Sequence, residues 1–147
     1  MAPAVVLTLG ALTTFSPTLA GDEAQDVAKK EAVVAMQTWL GEIDAGNYAK
    51  SWSDAAKNFQ KAVTSDQWVA ALNGVRTPLA KSIGRKLASA AYQTVVPKPG
   101  VEMVKGDFVI AQFDSSFENL KYARETVTFE KEADGVWRAA GYYIKPQ

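Results

Sequence analysis

Residues 125–145 read ETVTFEKEADGVWRAAGYYIK, two runs of alternating apolar and polar side chains separated by Asp134-Gly135. A period of two is the signature of extended backbone with one buried face. Asp-Gly between two such runs is a hairpin turn signal. A chain that ends this way ends in antiparallel sheet, over strands near 125–132 and 136–145. Val127 and Phe129 give the first of them its apolar side. In the second, alternation puts Val136, Ala140, Tyr142 and Ile144 on one face and Trp137, Ala139 and Tyr143 on the other. A strand apolar on both faces is expected at the centre of a sheet.

Two earlier segments read as strands as well. Lys86 to Val96 alternates, with Ala88, Ala90, Tyr92, Thr94 and Val96 on one face. Pro97, Pro99 and Gly100 then form a loop. Asp107 to Phe117 comes next, with Val109, Ala111, Phe113 and Phe117 facing one way.

The first half has a different period. Ala28, Ala32, Met36, Trp39 and Ile43 recur at helical spacing, with Val33 and Leu40 widening the stripe, so Asp22 to Ile43 reads as one long amphipathic helix. Gly46 suits the position just past its end, and Asn47 suits the start of the next helix, which carries Tyr48, Trp52 and Ala55 on one side. Thr64 and Gln67 have capping-box spacing ahead of Trp68, Val69, Leu72 and Val75. Pro78 closes that helix or opens another turn. Helices first and strands afterwards give an α+β fold, with N-terminal helices packed on one face of a curved antiparallel sheet of about four strands.

At 147 residues the chain has the length of a single domain. Residues 1–20 carry no charged side chain and end Thr18-Leu19-Ala20 after Pro17, which breaks any helix there. They read as a secretory signal peptide cut after Ala20, although no Lys or Arg precedes the apolar run. The run is too short to span a bilayer, so no stable membrane insertion is expected. Residues 21–147 are then one α+β domain, working in the periplasm or outside the cell.

The chain contains no cysteine and no histidine, and sixteen basic residues balance sixteen acidic ones. Disulfides, thiolate chemistry and Cys-ligated zinc are excluded, as is the commonest general base at neutral pH. Zero net charge gives no field toward nucleic acid. No phosphate-binding glycine loop, nucleophile elbow or calcium loop is present. These absences point to no cofactor, no metal and no assignable catalytic residue.

The runs WLGEIDAGNYAKSW, QWVAALNGVRTPLAKSIGRKL and ETVTFEKEADGVWRAAGYYIK together resemble a family of small secreted bacterial proteins, domain of unknown function 4019, over roughly residues 33–145. The resemblance implies no activity and transfers no catalytic residue. More loosely, the chain is similar to the nuclear-transport-factor-like cone fold, whose members often end in a W-x-x-x-x-Y strand, here Trp137 and Tyr142. That likeness implies a helical layer over a curved sheet. It leaves function open, because such cones host isomerases, dehydratases and binding modules alike.

Four residues stand out as ligand-binding candidates: Arg76, Arg85, Tyr142 and Tyr143. Arg76, Lys81, Arg85, Lys86 and Lys98 form a stretch without a single Asp or Glu. A guanidinium fork grips a carboxylate or phosphate. The same arginines serve equally to tie the helical layer to the sheet through internal carboxylates, with the lysines solvated, and such charge runs are more often solvated faces. Tyr142 and Tyr143 point to opposite faces of their strand, so one ring lines the concave side. Trp39, Trp52 and Trp68 have core spacing. Asp114 and Glu118 are the carboxylates that could serve as a base; alternation turns Asp114 away from Phe113 and Phe117, toward solvent.

These features fit an exported, non-enzymatic module that binds a small apolar or anionic ligand, or a protein partner. One competing reading is an isomerase- or dehydratase-like enzyme using a carboxylate and a tyrosine inside the cone. Another is a dimerisation module that pairs through its sheet face.

Overall fold

A computed structural model describes residues 17–98 and 101–147, with side chains described for 21–96 and 103–147. The expected leader lies largely outside the described residues, as do Pro99 and Gly100 of the expected loop. Among the described residues there are four α-helices and four strands, in the order α1 (Pro17–Asp44), α2 (Tyr48–Ser53), α3 (Lys57–Ala62), α4 (Ser65–Val75), β1 (Ser82–Lys98), β2 (Val101–Phe117), β3 (Leu120–Lys131) and β4 (Trp137–Pro146). The strands form one antiparallel meander in sequence order, an open sheet covered by helices on one face. No helix among the described residues is long and apolar enough to cross a membrane.

The helical periodicity translates directly into packing. Ala32, Met36, Trp39, Leu40 and Ile43 of α1 are all buried against the sheet. Residues 17–20, expected as the end of the leader, belong to this helix, so the expected cut after Ala20 falls within it. Gly46, at φ 80°, ends it: Gly46 N donates to Ile43 O at 3.0 Å and Asn47 N to Glu42 O at 2.9 Å, the Schellman pattern. Asn47 holds the N-cap position of α2 without a side-chain bond. The expected second helix ends at Ser53, short of Ala55, and a further short helix, α3, follows from Lys57. Thr64 and Gln67 make both bonds of the capping box, at 3.2 and 3.0 Å.

Ser51 ties the helices together. Its side chain is wholly buried, and it takes two indole N–H groups: Trp39 Nε1 donates to its carbonyl at 2.8 Å and Trp68 Nε1 to its hydroxyl at 2.9 Å. The two indoles lie 6.1 Å apart, and Phe129 of β3 and Tyr142 of β4 meet Trp39 edge-on. Side chains therefore fill the space between helices and sheet.

Irregularities in the sheet decide which side chains face the core. In β4 the pairing shifts between Thr128–Gly141 and Phe129–Ala139, leaving Ala140 as an extra residue. Such a bulge inverts the alternation. Tyr142 consequently joins Trp137 and Ala139 on the core side, while Tyr143 is 59% exposed on the other. β4 is also an edge strand, not a central one. Regular alternation carried across the bulge is what makes it look apolar on both faces. Its free edge receives the chain before α3, where Ala56 N donates to Ala139 O at 2.9 Å.

β1 has a similar fault: Ala88 is extra between Leu87–Phe113 and Ser89–Gln112. Of its expected apolar face, Ala90 and Tyr92 pack on the core, but Ala88 is exposed and Arg85, ahead of the bulge, points inward opposite Ser115.

Between α4 and β1 the chain makes a 3-10 turn at Thr77–Leu79 and then places Ala80 at φ 61°, ψ −142°. Only glycine occupies this region cheaply. The strained residue is fixed by its neighbours: Asn119 N donates to Leu79 O at 3.1 Å and Glu118 N to Lys81 O at 2.9 Å. Replacing Ala80 by Gly relieves about 1–3 kcal/mol of strain and adds about 0.4–1 kcal/mol of unfolded-state entropy, so the net effect is stabilising by about 1 kcal/mol. Urea denaturation of Ala80→Gly measures this directly; a lower midpoint at unchanged slope contradicts it.

Candidate functional site

Six elements of the chain bring charged or hydroxyl side chains to one buried place. α1 supplies Asp44 from its last turn, and Arg76 is the residue that ends α4. β1 supplies Arg85, β2 Ser115, β3 Glu125 and β4 Tyr142. Glu125 lies on the same strand face as Val127 and Phe129 and is wholly buried; Arg76 is 3% exposed.

Every oxygen of the two carboxylates is engaged. Arg85 Nε donates to Glu125 Oε1 at 2.7 Å, and Ser115 Oγ donates to the same oxygen at 2.5 Å. Tyr142 Oη donates to Glu125 Oε2 at 2.5 Å, with Arg76 Nη1 3.6 Å from that oxygen. Asp44 bridges both guanidinium groups: Arg76 Nη2 donates to its Oδ1 at 2.6 Å, and Arg85 Nη1 and Nη2 donate to Oδ2 and Oδ1 at 2.8 and 3.0 Å. Arg76 also donates to Tyr142 Oη at 3.2 Å and lies over the Phe117 ring, 4.6 Å from its centre. Its Nε is buried without a hydrogen-bond partner.

Two positive and two negative charges cancel, which is the condition under which such groups tolerate burial. Asp44 also ends α1, where the helix dipole disfavours an acid, and the two guanidinium groups compensate it. Burial alone raises the Asp44 carboxyl, but the hydrogen bonds from Arg85 and Arg76 prevail and hold it below the usual carboxylate range. Burial, followed by the Glu125 carboxylate, pushes the Tyr142 phenol well above its ordinary value. Tyr142 is thus a neutral donor.

Of the four residues singled out from sequence, the fold gathers three. Arg76, Arg85 and Tyr142 share the network, while Tyr143 is on the opposite face of the sheet. Both arginine forks close on internal carboxylates, so they tie the helical layer to the sheet. Asp114 is exposed, as alternation requires, and pairs with Arg124 at 2.7 Å; Glu118 is exposed in the β2–β3 turn. Asp44, Glu125 and Ser115 are members of the network that sequence reasoning missed. Among the described residues, no group of three or more acidic side chains is arranged to hold a metal ion.

The network borders an open cleft of about 510 Å³ between the end of α1 and the end of α4. Asp44 and Arg76 reach its wall together with Tyr48, Val69, Asn73 and Ala80. Tyr48 Oη and Thr77 Oγ1 are 3.1 Å apart across it.

The family model described as "Protein of unknown function (DUF4019)" matches residues 35–142. The chain belongs to this family. The DUF4019 match begins inside α1 and ends on Tyr142, so it contains all of the buried network and leaves out Tyr143. No curated protein and no solved structure matches the chain, so the looser likeness to the cone fold gains nothing from these comparisons.

Two of the perturbed groups, Asp44 and Tyr142, define a pH window. Asp44, lowered on folding, contributes stability that is complete above its unfolded value of about 4 and is lost as pH falls through the folded value. Tyr142, raised on folding, contributes stability that is complete below about 10 and is lost as pH rises toward the folded value. Tyr142→Phe removes a donor from a buried carboxylate, at a cost of about 1–3 kcal/mol at neutral pH. It should also flatten the alkaline limb of the melting-temperature profile. An alkaline limb identical to wild type would show that Tyr142 does not carry it.

Proposed function

We propose that this DUF4019 protein is an exported, non-enzymatic binding module of the bacterial envelope, which takes a small apolar ligand in the cleft between the ends of α1 and α4. The observation that carries this reading is the contrast between the two places where chemistry-bearing residues meet solvent or fail to. The acid–tyrosine pair that an isomerase-like mechanism would use, Glu125 and Tyr142, is sealed in a filled core, with both carboxylate oxygens already bonded. The cleft is open, and its wall is held by the charge network and by the strained Ala80. Strain of that kind persists where surrounding structure over-determines it, commonly at ligand sites.

Charge decides between apolar and anionic ligands. An anion entering the cleft would meet guanidinium groups already matched by Asp44 and Glu125, and would add a negative charge beside Asp44. An apolar body meets Val69 and Ile43 together with Tyr48, Asn73 and Thr77, whose side chains are bonded to one another and carry no net charge. A dimer through the sheet has less support, because the uncovered face, although it exposes Tyr122 and Tyr143, carries Gln112, Asp114, Arg124, Thr126 and Thr128 between them.

A fragment screen followed by amide NMR tests the cleft. Neutral apolar fragments should shift the amides of residues 45–49 and 73–80, anionic fragments should not, and Val69→Trp should abolish the shifts by filling the space. A screen in which no neutral fragment moves those amides sinks the reading. Export is tested separately: residues 1–20 fused to alkaline phosphatase should give enzyme activity, which develops only after export, and a cytoplasmic inactive fusion rules the leader out.

A further inference from the structure

The face of the sheet turned away from the helices carries an uncharged band that crosses every strand. Register aligns Ser89, Gln112, Thr126 and Tyr143 in one row, from β1 to β4. The neighbouring row is Ala91, Ile110, Thr128 and Gly141. These residues alternate with core residues such as Ala90, Ala111, Val127 and Tyr142, so both rows face outward. At ordinary strand spacing the band is about 14 Å long and about 7 Å wide. Charge begins only outside it. Lys86, Asp114, Arg124 and Lys145 form the row on one side, and Glu130 and Arg138 belong to the row on the other.

The band has three features that its own packing does not use. The first is unspent polarity: among the described residues, Ser89, Gln112, Thr126 and Thr128 make no side-chain hydrogen bond within the protein. The second is Tyr143, an exposed ring in contact with no other ring or cation of the described residues. The third is Gly141. Glycine weakens a strand interior, and a glycine there often marks the close approach of a ligand or another backbone. The fold does not require it at this position. Its φ is not positive, and an added Cβ would meet only Thr128, at 3.7 Å, an ordinary contact. The extra residue of the bulge is Ala140, which keeps its side chain. Gly141 therefore leaves low ground beside the Tyr143 ring.

We infer that this band binds a neutral oligosaccharide chain laid across the strands. A sugar ring offers an apolar C–H face to stack on Tyr143, and hydroxyls around its rim that both donate and accept. Ser89, Thr126 and Thr128 supply hydroxyls that do the same, and the Gln112 amide supplies two donors and an acceptor. An apolar ligand or an apolar protein surface would leave these groups unbonded, at a cost. A carboxylate or phosphate on the band would meet no cation within it. An extended peptide adds to a sheet at an edge, where backbone groups are free, rather than on a face. Tyr122 shares the face but lies beyond the charged row, with Lys121 Nζ 5.5 Å from its ring centre, and stands apart from the band. The cleft between the ends of α1 and α4 plays no part in this inference.

Cellohexaose and chitohexaose are suitable probes, with glucose as the monomer and an oligogalacturonate as the anionic chain. Titrated into the full chain at constant ionic strength, a neutral hexamer should shift the amides of residues 110–112, 126–128 and 141–143 to saturation. Those of 45–49 and 73–80 should stay in place, and glucose should bind about tenfold more weakly or worse. Tyr143→Ala should weaken hexamer binding by about tenfold or more, through loss of the stacked ring. Gly141→Val should abolish binding yet raise the urea midpoint, because a β-branched residue suits a strand better than glycine does. A glycine kept only for the fold would give a lower midpoint. Should Gly141→Val fail to fold, Tyr143→Ala, at an exposed position, still decides. The proposal is overturned if neither hexamer moves those amides, if Tyr143→Ala leaves the titration unchanged, or if the oligogalacturonate binds more tightly than the neutral chains.

Discussion

The fold is organised around four clustered charges, of which Arg76 and Glu125 are closed to water while Asp44 and Arg85 are partly open to it. Arg76 and Arg85 face Asp44 and Glu125 across the junction of helices and sheet, and removing any one leaves an uncompensated buried charge. Several local features serve this cluster. The bulge in β1 turns Arg85 inward, the bulge in β4 delivers Tyr142, and the Schellman end of α1 aims Asp44 at both guanidinium groups. Residues 44, 76, 85, 125 and 142 are far apart in sequence, so the cluster forms only when all layers are assembled. Buried ion groups of this kind are weak as a net source of stability, and their value here is in fixing one arrangement of helices over the sheet.

The result is a division of labour. The interior packs its chemistry-bearing groups among aromatic side chains, and the surface clefts carry space. Glu125 and Tyr142 form the acid–phenol pair that a proton-transfer enzyme needs, yet Glu125 is spent on structure. Functional variation is therefore expected at the ends of α1 and α4 and on the open face of the sheet, which meet solvent beside rigid supports.

The α+β architecture, the long first helix, the capping box and the final hairpin are all legible from periodicity and capping chemistry. The site is half legible. The two arginines are visible because no acid lies near them in sequence, but their partners come from distant elements. Glu125 occupies the inward parity set by Val127 and Phe129, and Ser115 that of Phe113 and Phe117. An acid at the end of α1 is likewise electrostatically out of place. Polar residues on apolar faces were the available signal. The facing of Tyr142 is not readable by alternation, because a single extra residue reverses it. Gly141, a glycine inside a strand, is the one local hint.

The bulge at Ala140 divides β4 into two stretches of opposite phase. Before it, odd positions, Trp137 and Ala139, are the ones closed to polar replacement; after it, even Tyr142 is. A homologue that lost or gained one residue there would keep nearly the same composition yet exchange Tyr142 for Tyr143 against Glu125. In this strand, counting residues from the hairpin turn is a safer guide to function than matching the letters Tyr-Tyr.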